Sequence, residues 1–352
     1  LCLESGGLDD WFVVDPEAIR VEGSSMGLQE GDVVTKRMLC YGMLLPSGND
    51  AANAAGVRLY GSIEGFVQAM NQRAQELGLH NTHYVTACGL DAEGHYSTAF
   101  DLAKLTRVAL QNEDFAFICS QSSMKVKFGN PPYERWLQNY NRLLELYPDC
   151  IGVKTGFTDL AGPSFAGAAN NGERYLYAIA IHSSSEAQRF VDAQTLCEWA
   201  YDNIIDYQVV NSTETVQSPL GEGDTPVFAH VAHGDWIDQT FPATLSDPDA
   251  AVEVFALDGN VSQSVEFEEV HGTVSAGQKV GTVTFKQRNE TIAEYDLVAC
   301  EDAAAPDFLQ SIGIWWDRLF RGFAGQPQTA ESVVVNTMPL INDKTAVETT
   351  VS

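Results

Sequence analysis

The chain has 352 residues, of which 45% are hydrophobic and 10% aromatic, so it is long and apolar enough for a large core and a second, smaller domain. Only 20 Lys and Arg residues stand against 48 Asp and Glu residues, which gives a formal net charge of −28. This balance argues against nucleic acid as a partner, because phosphate backbones are bound by clustered Lys and Arg and the sequence contains no basic run.

The sequence starts inside an apolar run and not at an initiator methionine. Leu1, Cys2 and Leu3 open the chain, and no signal peptide is visible. We therefore expect the natural protein to carry further residues ahead of Leu1.

The first two hundred residues mix helical and strand patterns. Thr98, with Asp101 three residues later, has the form of a helix cap, and another helix is predicted over residues 186–204. Ser62 precedes apolar residues at the spacing of one helix face. These residues are Ile63, Phe66, Val67, Met70, Ala74 and Leu77.

Strand patterns follow in the same region. Residues 151–157 predict one strand, and residues 164–169 and 175–181 predict two more. The last two are joined through Asn170-Asn171-Gly172, which is typical of a hairpin turn. Helices together with an antiparallel sheet predict an α+β domain over residues 1–207.

After Asn211 the pattern changes to short alternating strands between Gly-, Asp- and Asn-rich turns, which is typical of a small all-β domain. We place this β-sandwich domain at residues 212–301 and its linker at residues 211–225, which are rich in Ser, Thr, Glu and Gly. The predicted strands are residues 227–231, 236–241, 252–256, 264–270, 279–285 and 291–298.

Residues 306–324 form an amphipathic segment. At 100° per residue its apolar side chains fall within about 140° of arc, opposite the charged ones. They are Phe308, Leu309, Ile312, Trp315, Trp316, Leu319, Phe320 and Phe323. Such a helix either packs on the β domain or lies in a membrane interface, and its charges argue against a spanning helix. The polar tail that follows, residues 325–352, is expected to be disordered, and this place near the chain end favours the membrane surface.

Cysteines and histidines do not form a metal motif. The seven cysteines are spread singly without Cys-x-x-Cys spacing, and their odd number argues against a full disulfide framework while allowing one bridge. His230 and His233 stand three apart, but no Cys or carboxylate cluster joins them. We expect neither a metal nor a cofactor.

Two tripeptides are candidates for the chemistry. Ser47-Gly48-Asn49 follows a helical run and Pro46, so we expect it in a turn between two helices. Lys154-Thr155-Gly156 ends a predicted strand, where glycine lets a substrate backbone come close. Each tripeptide alone also fits a plain polar turn or a solvent-facing lysine, so their order and surroundings decide the interpretation.

Those surroundings resemble the low-molecular-mass penicillin-binding proteins that are D,D-carboxypeptidases. The similar segments are residues 23–28, 44–53, 89–91 with 95–102, 139–144 and 152–158. The resemblance covers residues 1–207, and the β domain with its terminal helix is similar to the C-terminal half of the same family. It implies a β-lactamase/D,D-peptidase-like domain followed by a small all-β domain. Cys88, where the family often has histidine, and Pro163-Ser164-Phe165 depart from the family pattern.

This family removes the terminal D-alanine from peptidoglycan stem pentapeptides through an acyl-enzyme. Three motifs line its cleft: Ser-x-x-Lys, Ser-x-Asn and Lys-Thr-Gly, of which the first supplies the nucleophile and its base. The first motif is missing ahead of the other two, so the resemblance implies that the chain begins inside the nucleophile helix and is inactive as given. Ser122-Ser123-Met124-Lys125 has the same form but lies between the other motifs, and we do not expect it to be the nucleophile.

The resemblance also implies roles for the residues that are present. Ser47 would hydrogen-bond the nucleophile's lysine and relay a proton to the leaving D-alanine. Asn49 would hold the substrate's peptide amide. Lys154 and Thr155 would bind the terminal carboxylate.

The end of the same strand would receive the substrate backbone as an added strand. Gly156 would keep this edge open, and the backbone N–H of Phe157 would form half of an oxyanion hole.

Two alternatives stay open: a non-catalytic peptidoglycan-binding homologue, and a β-lactamase-related hydrolase. The second is disfavoured because β-lactamases lack the β domain and the terminal helix. The resemblance implies peptidoglycan stem peptides and β-lactam antibiotics as partners, and the membrane surface through residues 306–324. It implies a location outside the cytoplasm, on the outer face of the cytoplasmic membrane.

Overall fold

The computed structural model of the chain describes residues 1–218, 221 and 223–341. It divides between Tyr201 and Asp202 into two units. The sequence pattern ended the first domain at residue 207, but residues 204–208 form a strand that pairs with residues 251–255. This pairing buries Tyr207 in the core of the second unit, and the division therefore lies earlier than predicted.

The helices of the first unit are α1 (Lys36–Leu44), α2 (Asn49–Tyr60), α3 (Ile63–Glu76), α4 (Ala99–Ala109), α5 (Glu113–Cys119), α6 (Leu143–Leu146) and α7 (Gln188–Asn203). Helices α1, α3, α4 and α5 start where the side chain of the preceding residue accepts from a free N–H group of the first turn. The Ser62 hydroxyl accepts from Gly65 N at 3.0 Å and the Thr98 hydroxyl from Asp101 N at 3.2 Å. Both predicted helix starts are confirmed.

The strands of the first unit are β1 (Phe12–Val13), β2 (Val33–Val34), β3 (Ser123–Gly129), β4 (Pro132–Gln138), β5 (Cys150–Gly156), β6 (Ser164–Asn170) and β7 (Tyr175–Ala180). The predicted hairpin is confirmed, since β6 pairs with β7 in an antiparallel sheet of order β5-β6-β7. Within residues 1–218, 221 and 223–341, no strand lies beside the other edge of β5. The Lys-Thr-Gly tripeptide therefore ends a strand at the edge of a sheet.

Helix α2 is buried along its first half because small residues let neighbouring segments approach closely. Ala51, Ala54 and Ala55 are at most 2% exposed. The same burial encloses the polar residues Asn49 and Asp50. Buried polar groups are costly without hydrogen bonds, so partners from other segments must hold the start of this helix.

Helix α7 packs against the β5-β6-β7 sheet. The ring of Phe165 on β6 meets the ring of Phe190 on α7 edge-on, with centroids 5.2 Å apart, and both side chains are buried. Because Arg189 precedes Phe190, this packing brings its side chain to the end of β5, where it donates to Gly156 O at 3.2 Å.

Strands dominate the second unit, as the alternating pattern predicts. They are β8 (Ile204–Gln208), β9 (Thr215–Gln217), β10 (Asp224–Pro226), β11 (Ala229–Ala232), β12 (Thr240–Leu245), β13 (Ala251–Phe255), β14 (Ser262–Phe267), β15 (Lys279–Gln287), β16 (Glu290–Ala299) and β17 (Val333–Val334). One antiparallel sheet has the order β14-β15-β16-β12-β11-β17, while β8 pairs with β13 and β9 with β10. The sheet and the β8-β13 pair share one core, which includes Phe228, Phe285 and Val254.

The strand predicted over residues 236–241 starts later, at Thr240. Residues 233–236 form a turn instead, in which Trp236 N donates to His233 O at 3.1 Å. The Asp235 carboxylate fastens this turn by accepting from Gly272 N at 2.6 Å. These polar contacts take the backbone away from strand geometry, and an apolar alternation in the sequence does not reveal them.

Helix α8 (Phe308–Phe323) coincides with the predicted amphipathic segment, and Asp307 caps it. Its apolar face is exposed: Phe308, Leu309 and Phe323 are 79%, 77% and 82% exposed. Across the described part of the chain, we find no helix with the length and apolarity required to traverse a membrane.

On the opposite side of α8, Arg318 binds other segments of the second unit. Its guanidinium donates to the backbone oxygens of Gly234 at 2.6 Å and Trp236 at 3.0 Å. The Trp236 indole in turn donates to Ala304 O, just ahead of the helix, at 2.9 Å. The charged side of α8 thus contacts protein, whereas the large apolar side chains of the other side are exposed.

The segment after α8 differs from the expected disordered tail. Val333 and Val334 of β17 pair with β11, and the Asn336 side chain donates to Val209 O at 2.9 Å and accepts from Asn211 N at 2.6 Å. Residues 325–341 are therefore part of the second unit, because backbone pairing compensates for their polar composition. The rest of the predicted tail, residues 342–352, lies outside the described residues.

The cysteine thiols are free, and all except Cys88 are buried, as is usual for cysteines that pack as small apolar residues. Among the described residues, no three His, Cys, Asp or Glu side chains are grouped so that they could hold a metal ion.

Candidate active site

Ser47 lies in the turn between α1 and α2, where the sequence pattern predicts it. Its φ of 57° is in the left-handed region that residues other than glycine seldom adopt. Hydrogen bonds from Gly48 N to Gly42 O and from Asn49 N to Ser24 O, both 2.8 Å long, hold the turn in this strained form. A Cβ on Gly48 would lie only 3.0 Å from Gly42 O, so the turn requires glycine there.

Lys154 connects the two tripeptides. Its Nζ donates to Ser47 Oγ at 2.8 Å and to the backbone oxygen of Thr155 at 2.6 Å. The residues are 107 positions apart in the sequence and meet in one cleft, as the sequence analysis predicts.

The environment of Lys154 lowers the pKa of its side-chain ammonium. Burial, and to a smaller extent the nearby positive charge of Arg189, together lower the pKa of its ammonium to about 8. At neutral pH the group is still mostly charged. An anion entering the cleft would therefore meet an incompletely compensated positive charge.

Asn49 opens helix α2 and lines the cleft. Its side-chain nitrogen donates to Glu22 O at 2.7 Å, and its backbone nitrogen donates to Ser24 O at 2.8 Å. With the nitrogen engaged in this way, the amide oxygen is the atom that a ligand N–H can use.

Thr155 and Gly156 end β5, and Phe157 follows the strand. Thr155 is buried with its side chain in the cleft wall, while Phe157 is 57% exposed at the rim. A Cβ placed on Gly156 would meet no atom within 4 Å. The space in front of this glycine is open, so an extended peptide can approach the strand edge.

Arg189 is a site residue that the sequence analysis missed. It is 5% exposed, its Nη2 donates to Glu186 Oε2 at 3.3 Å, and its buried Nε has no hydrogen-bond partner in the structure. A buried guanidinium with a spare donor beside Lys154 is suited to a carboxylate ligand. No local motif surrounds Arg189 in the sequence; only the packing of α7 on the sheet brings it here.

These residues line one open cleft of about 1550 Å³ in the first unit. Polar and apolar groups both line it, and Ser24, Cys88, Leu90 and Tyr140 are among the other lining residues. A cleft of this size exceeds a small-molecule pocket and suits an extended peptide.

Ser122 also lines the cleft, but Lys125 does not assist it. Ser122 precedes β3, and Lys125 within this strand is engaged elsewhere: its Nζ forms an ion pair with Glu134 Oε2 at 2.6 Å across the β3-β4 hairpin. Ser122 therefore has no base from its own Ser-x-x-Lys sequence.

Known proteins are similar to this chain over most of its length. The family model described as D-alanyl-D-alanine carboxypeptidase matches residues 11–185. The D-alanyl-D-alanine carboxypeptidase DacD of Escherichia coli is 31% identical over 84% of this chain and 72% of its own length. The D-alanyl-D-alanine carboxypeptidase DacF of Bacillus subtilis is 28% identical over 88% of this chain and 77% of its own length.

A solved structure resembles the chain over both units. Penicillin binding protein 6B of Escherichia coli matches with a TM-score of 0.58 and 27% identity, over 83% of this chain and 80% of that one. The predicted α+β peptidase-like fold with a following β domain is therefore confirmed.

Proposed function

The chain belongs to the D-alanyl-D-alanine carboxypeptidases, serine-type, penicillin-binding hydrolases, and from this premise we propose that its cleft grips the free end of a peptidoglycan stem peptide. The observation that carries the proposal is the 2.8 Å hydrogen bond between Lys154 Nζ and Ser47 Oγ. This bond joins the turn that contains Ser47 to the edge strand that contains Lys154, beside an open cleft. A solvent-facing lysine or an isolated polar turn would show no such contact.

The terminal carboxylate of the peptide is the anion that this cleft accepts. Lys154 supplies a charge that burial leaves weakly compensated, and Thr155 supplies a hydroxyl donor beside it. The free Nε of Arg189 supplies a further donor. Desolvated charged donors of this kind bind a carboxylate more strongly than neutral groups do.

The rest of the peptide lies along β5. Its backbone adds to the open edge at Gly156, and the Asn49 amide oxygen accepts from the N–H of the terminal peptide bond. The backbone N–H of Phe157 points toward the carbonyl oxygen that becomes negative during attack. This arrangement positions the bond between the two D-alanines next to the Ser47 hydroxyl.

Ser47 and Lys154 together move the proton in this proposal. The Ser47 hydroxyl receives a hydrogen bond from Lys154, whose lowered pKa lies near the range in which a group both gives and takes protons at neutral pH. As the serine of the Ser-x-x-Lys motif, which the given sequence lacks, attacks the carbonyl carbon, Ser47 passes a proton to the amine of the departing D-alanine and Lys154 restores it. The proton released by the attacking serine then returns Lys154 to its charged form.

Peptide binding tests these roles without requiring turnover. An N-acetylated tripeptide that ends in D-alanyl-D-alanine should bind to the chain, as measured by calorimetry. Its carboxamide form should bind at least about tenfold more weakly, because the charged hydrogen bonds to the carboxylate are lost. Lys154→Met should have the same effect on the acid and almost none on the amide. Equal affinity for the tripeptide and for its carboxamide form would refute the proposed binding of the terminal carboxylate.

We propose in addition that α8 rests on a membrane surface, on the outer face of the cytoplasmic membrane. The exposed aromatic face, with Trp315 and Trp316 58% and 50% exposed, supports this role. So does Arg318, which holds the opposite side of the helix to protein backbone and thereby aims the apolar side outward.

Flotation with phosphatidylcholine–phosphatidylglycerol vesicles tests this surface. Replacing Trp316 and Phe320 by Ser should lower vesicle binding on the order of a hundredfold, since each buried aromatic side chain contributes about 1.5–3 kcal/mol. Asp317→Ser, on the charged side of α8, is the matched control and should not lower binding. Vesicle binding that survives loss of both aromatic residues would count against the proposal.

A further inference from the structure

Asp50 is a buried charged residue that the roles proposed above do not use. It is 2% exposed in the first turn of α2, one position after Asn49. Its carboxylate is surrounded by donors from residues 22–28, which we name the cleft segment. Oδ1 accepts from Met26 N at 2.9 Å, and Oδ2 accepts from Ser25 Oγ at 2.6 Å and from Gly27 N and Leu28 N at 3.0 Å.

The other end of the cleft segment holds Asn49. Glu22 O accepts from the Asn49 side chain at 2.7 Å, and Ser24 O accepts from Asn49 N at 2.8 Å. A Cβ on Gly23 would lie 2.8 Å from Asn49 Nδ2, so the backbone of the cleft segment packs directly against that amide. Gly23 and Ser24 also line the cleft.

Two neighbouring side chains of α2 thus hold one segment at two points. Asp50 holds residues 25–28 by their donors, and Asn49 is held by the acceptors of residues 22 and 24. The groups of the cleft segment that contact the Asp50 carboxylate are all hydrogen-bond donors. The position therefore requires a side chain that only accepts hydrogen bonds. An asparagine would turn an NH₂ group toward N–H groups or leave a donor unsatisfied.

We propose that Asp50 is a positioning residue for the peptidase reaction. Its carboxylate fixes the cleft segment, and the segment fixes the rotamer of Asn49 so that the amide oxygen faces the terminal peptide bond of the substrate. The inference rests on the proposed function, because it acts through Asn49.

Asp101 provides a matched control. It is also a 2% exposed aspartate in the first turn of a helix, α4, and it also fastens a loop, accepting from Asn81 N and Thr82 Oγ1 at 2.8 Å each. None of these three residues lines the cleft. Asp101→Asn therefore reports the effect of a lost buried carboxylate alone.

The experiment compares Asp50→Asn with Asp101→Asn in the full chain, below the melting temperature of each. Asp50→Asn should weaken binding of the N-acetylated D-alanyl-D-alanine tripeptide about tenfold, the size of a lost charge-assisted hydrogen-bond set, while Asp101→Asn should stay within about twofold. The NMR signal of the Asn49 side-chain amide should move in Asp50→Asn only. Amide hydrogen exchange should rise at residues 26–28.

Each outcome separates this inference from the proposed function. If the unchanged chain does not bind the tripeptide, the proposed function fails first. If it binds, and Asp50→Asn binds equally well with an unmoved Asn49 signal, the positioning role of Asp50 is wrong. If Asp50→Asn does not fold, Ser25→Ala decides, because it leaves the Asp50 carboxylate in place and removes one of its donors, the Ser25 hydroxyl, which also accepts from Gly27 N at 2.8 Å. Binding about fivefold weaker, beyond the twofold range allowed for Asp101→Asn, supports the inference, and binding within twofold of the unchanged chain overturns it.

Discussion

The pH dependence of peptide binding should follow the protonation of Lys154. Burial and the Arg189 charge lower the pKa of this ammonium from 10.5 to about 8. If only the protonated form binds the peptide carboxylate, about nine-tenths of the sites are competent at pH 7 and about one-tenth at pH 9. The dissociation constant should therefore rise about tenfold between pH 7 and pH 9 and about a hundredfold by pH 10.

Stability should change in the opposite direction over the same range. Between pH 8 and 10.5 the unfolded chain binds the lysine proton more tightly than the folded chain does, so the free energy of unfolding rises with pH. Compared with Lys154→Met, this rise should be on the order of 2–3 kcal/mol. Lost binding at pH 9 would consequently not be explained by unfolding.

Fluorescence anisotropy of a labelled, N-acetylated D-alanyl-D-alanine tripeptide measures this dependence, because the peptide itself has no group that titrates between pH 6 and 10. Lys154→Arg is the control, since a guanidinium keeps its proton throughout. The affinity of the Lys154→Arg variant for the peptide should not change with pH over this range, whatever its absolute value. A flat profile in the unchanged chain, or the same fall in Lys154→Arg, would refute the assignment of the carboxylate charge to Lys154.

Three further predictions concern single positions. Arg189→Gln should weaken tripeptide binding and move the midpoint of the pH profile above 8, because a neighbouring positive charge is removed; an unmoved midpoint in the anisotropy titration would contradict this. Labelled penicillin should form no stable covalent adduct with Ser122, so Ser122→Ala should leave gel labelling unchanged, and a band abolished by Ser122→Ala would show the pairing argument to be wrong. Gly42→Ala should lower the free energy of unfolding by about 1–3 kcal/mol in urea titrations, because the new Cβ would lie 2.3 Å from Met26 Sδ, whereas Gly313→Ala, in open space on α8, should raise it by up to about 1 kcal/mol.

Local signals in the sequence predicted the elements that carry the site. Caps at Ser62 and Thr98 depend on a side chain and an N–H three residues later, so a short stretch contains all the information. The same holds for the turn at Ser47, which Pro46 and Gly48 frame. The strand that ends at Gly156 was equally visible from its composition.

Interactions between distant segments were not visible in this way. Arg189 reaches the cleft because Phe190 packs on Phe165, and Asp50 finds its donors in backbone N–H groups more than twenty residues earlier. Backbone groups are the same in every sequence, so a side chain whose partners are backbone atoms leaves no complementary residue to recognise. The turn at Asp235, which displaced the predicted strand, is a case of the same kind.

The amphipathic helix shows where a sequence pattern reaches its limit. Packing on a β domain and resting on a membrane both require one apolar side and one charged side, so the pattern over residues 306–324 serves either arrangement equally. The two arrangements differ in what the charged side of the helix contacts. In the structure Arg318 donates to two backbone oxygens of the second unit, while Trp315 and Trp316 are 58% and 50% exposed. A helix recruited to complete the core would have turned the other way, because burying its aromatic side against protein is worth several kcal/mol more than two hydrogen bonds.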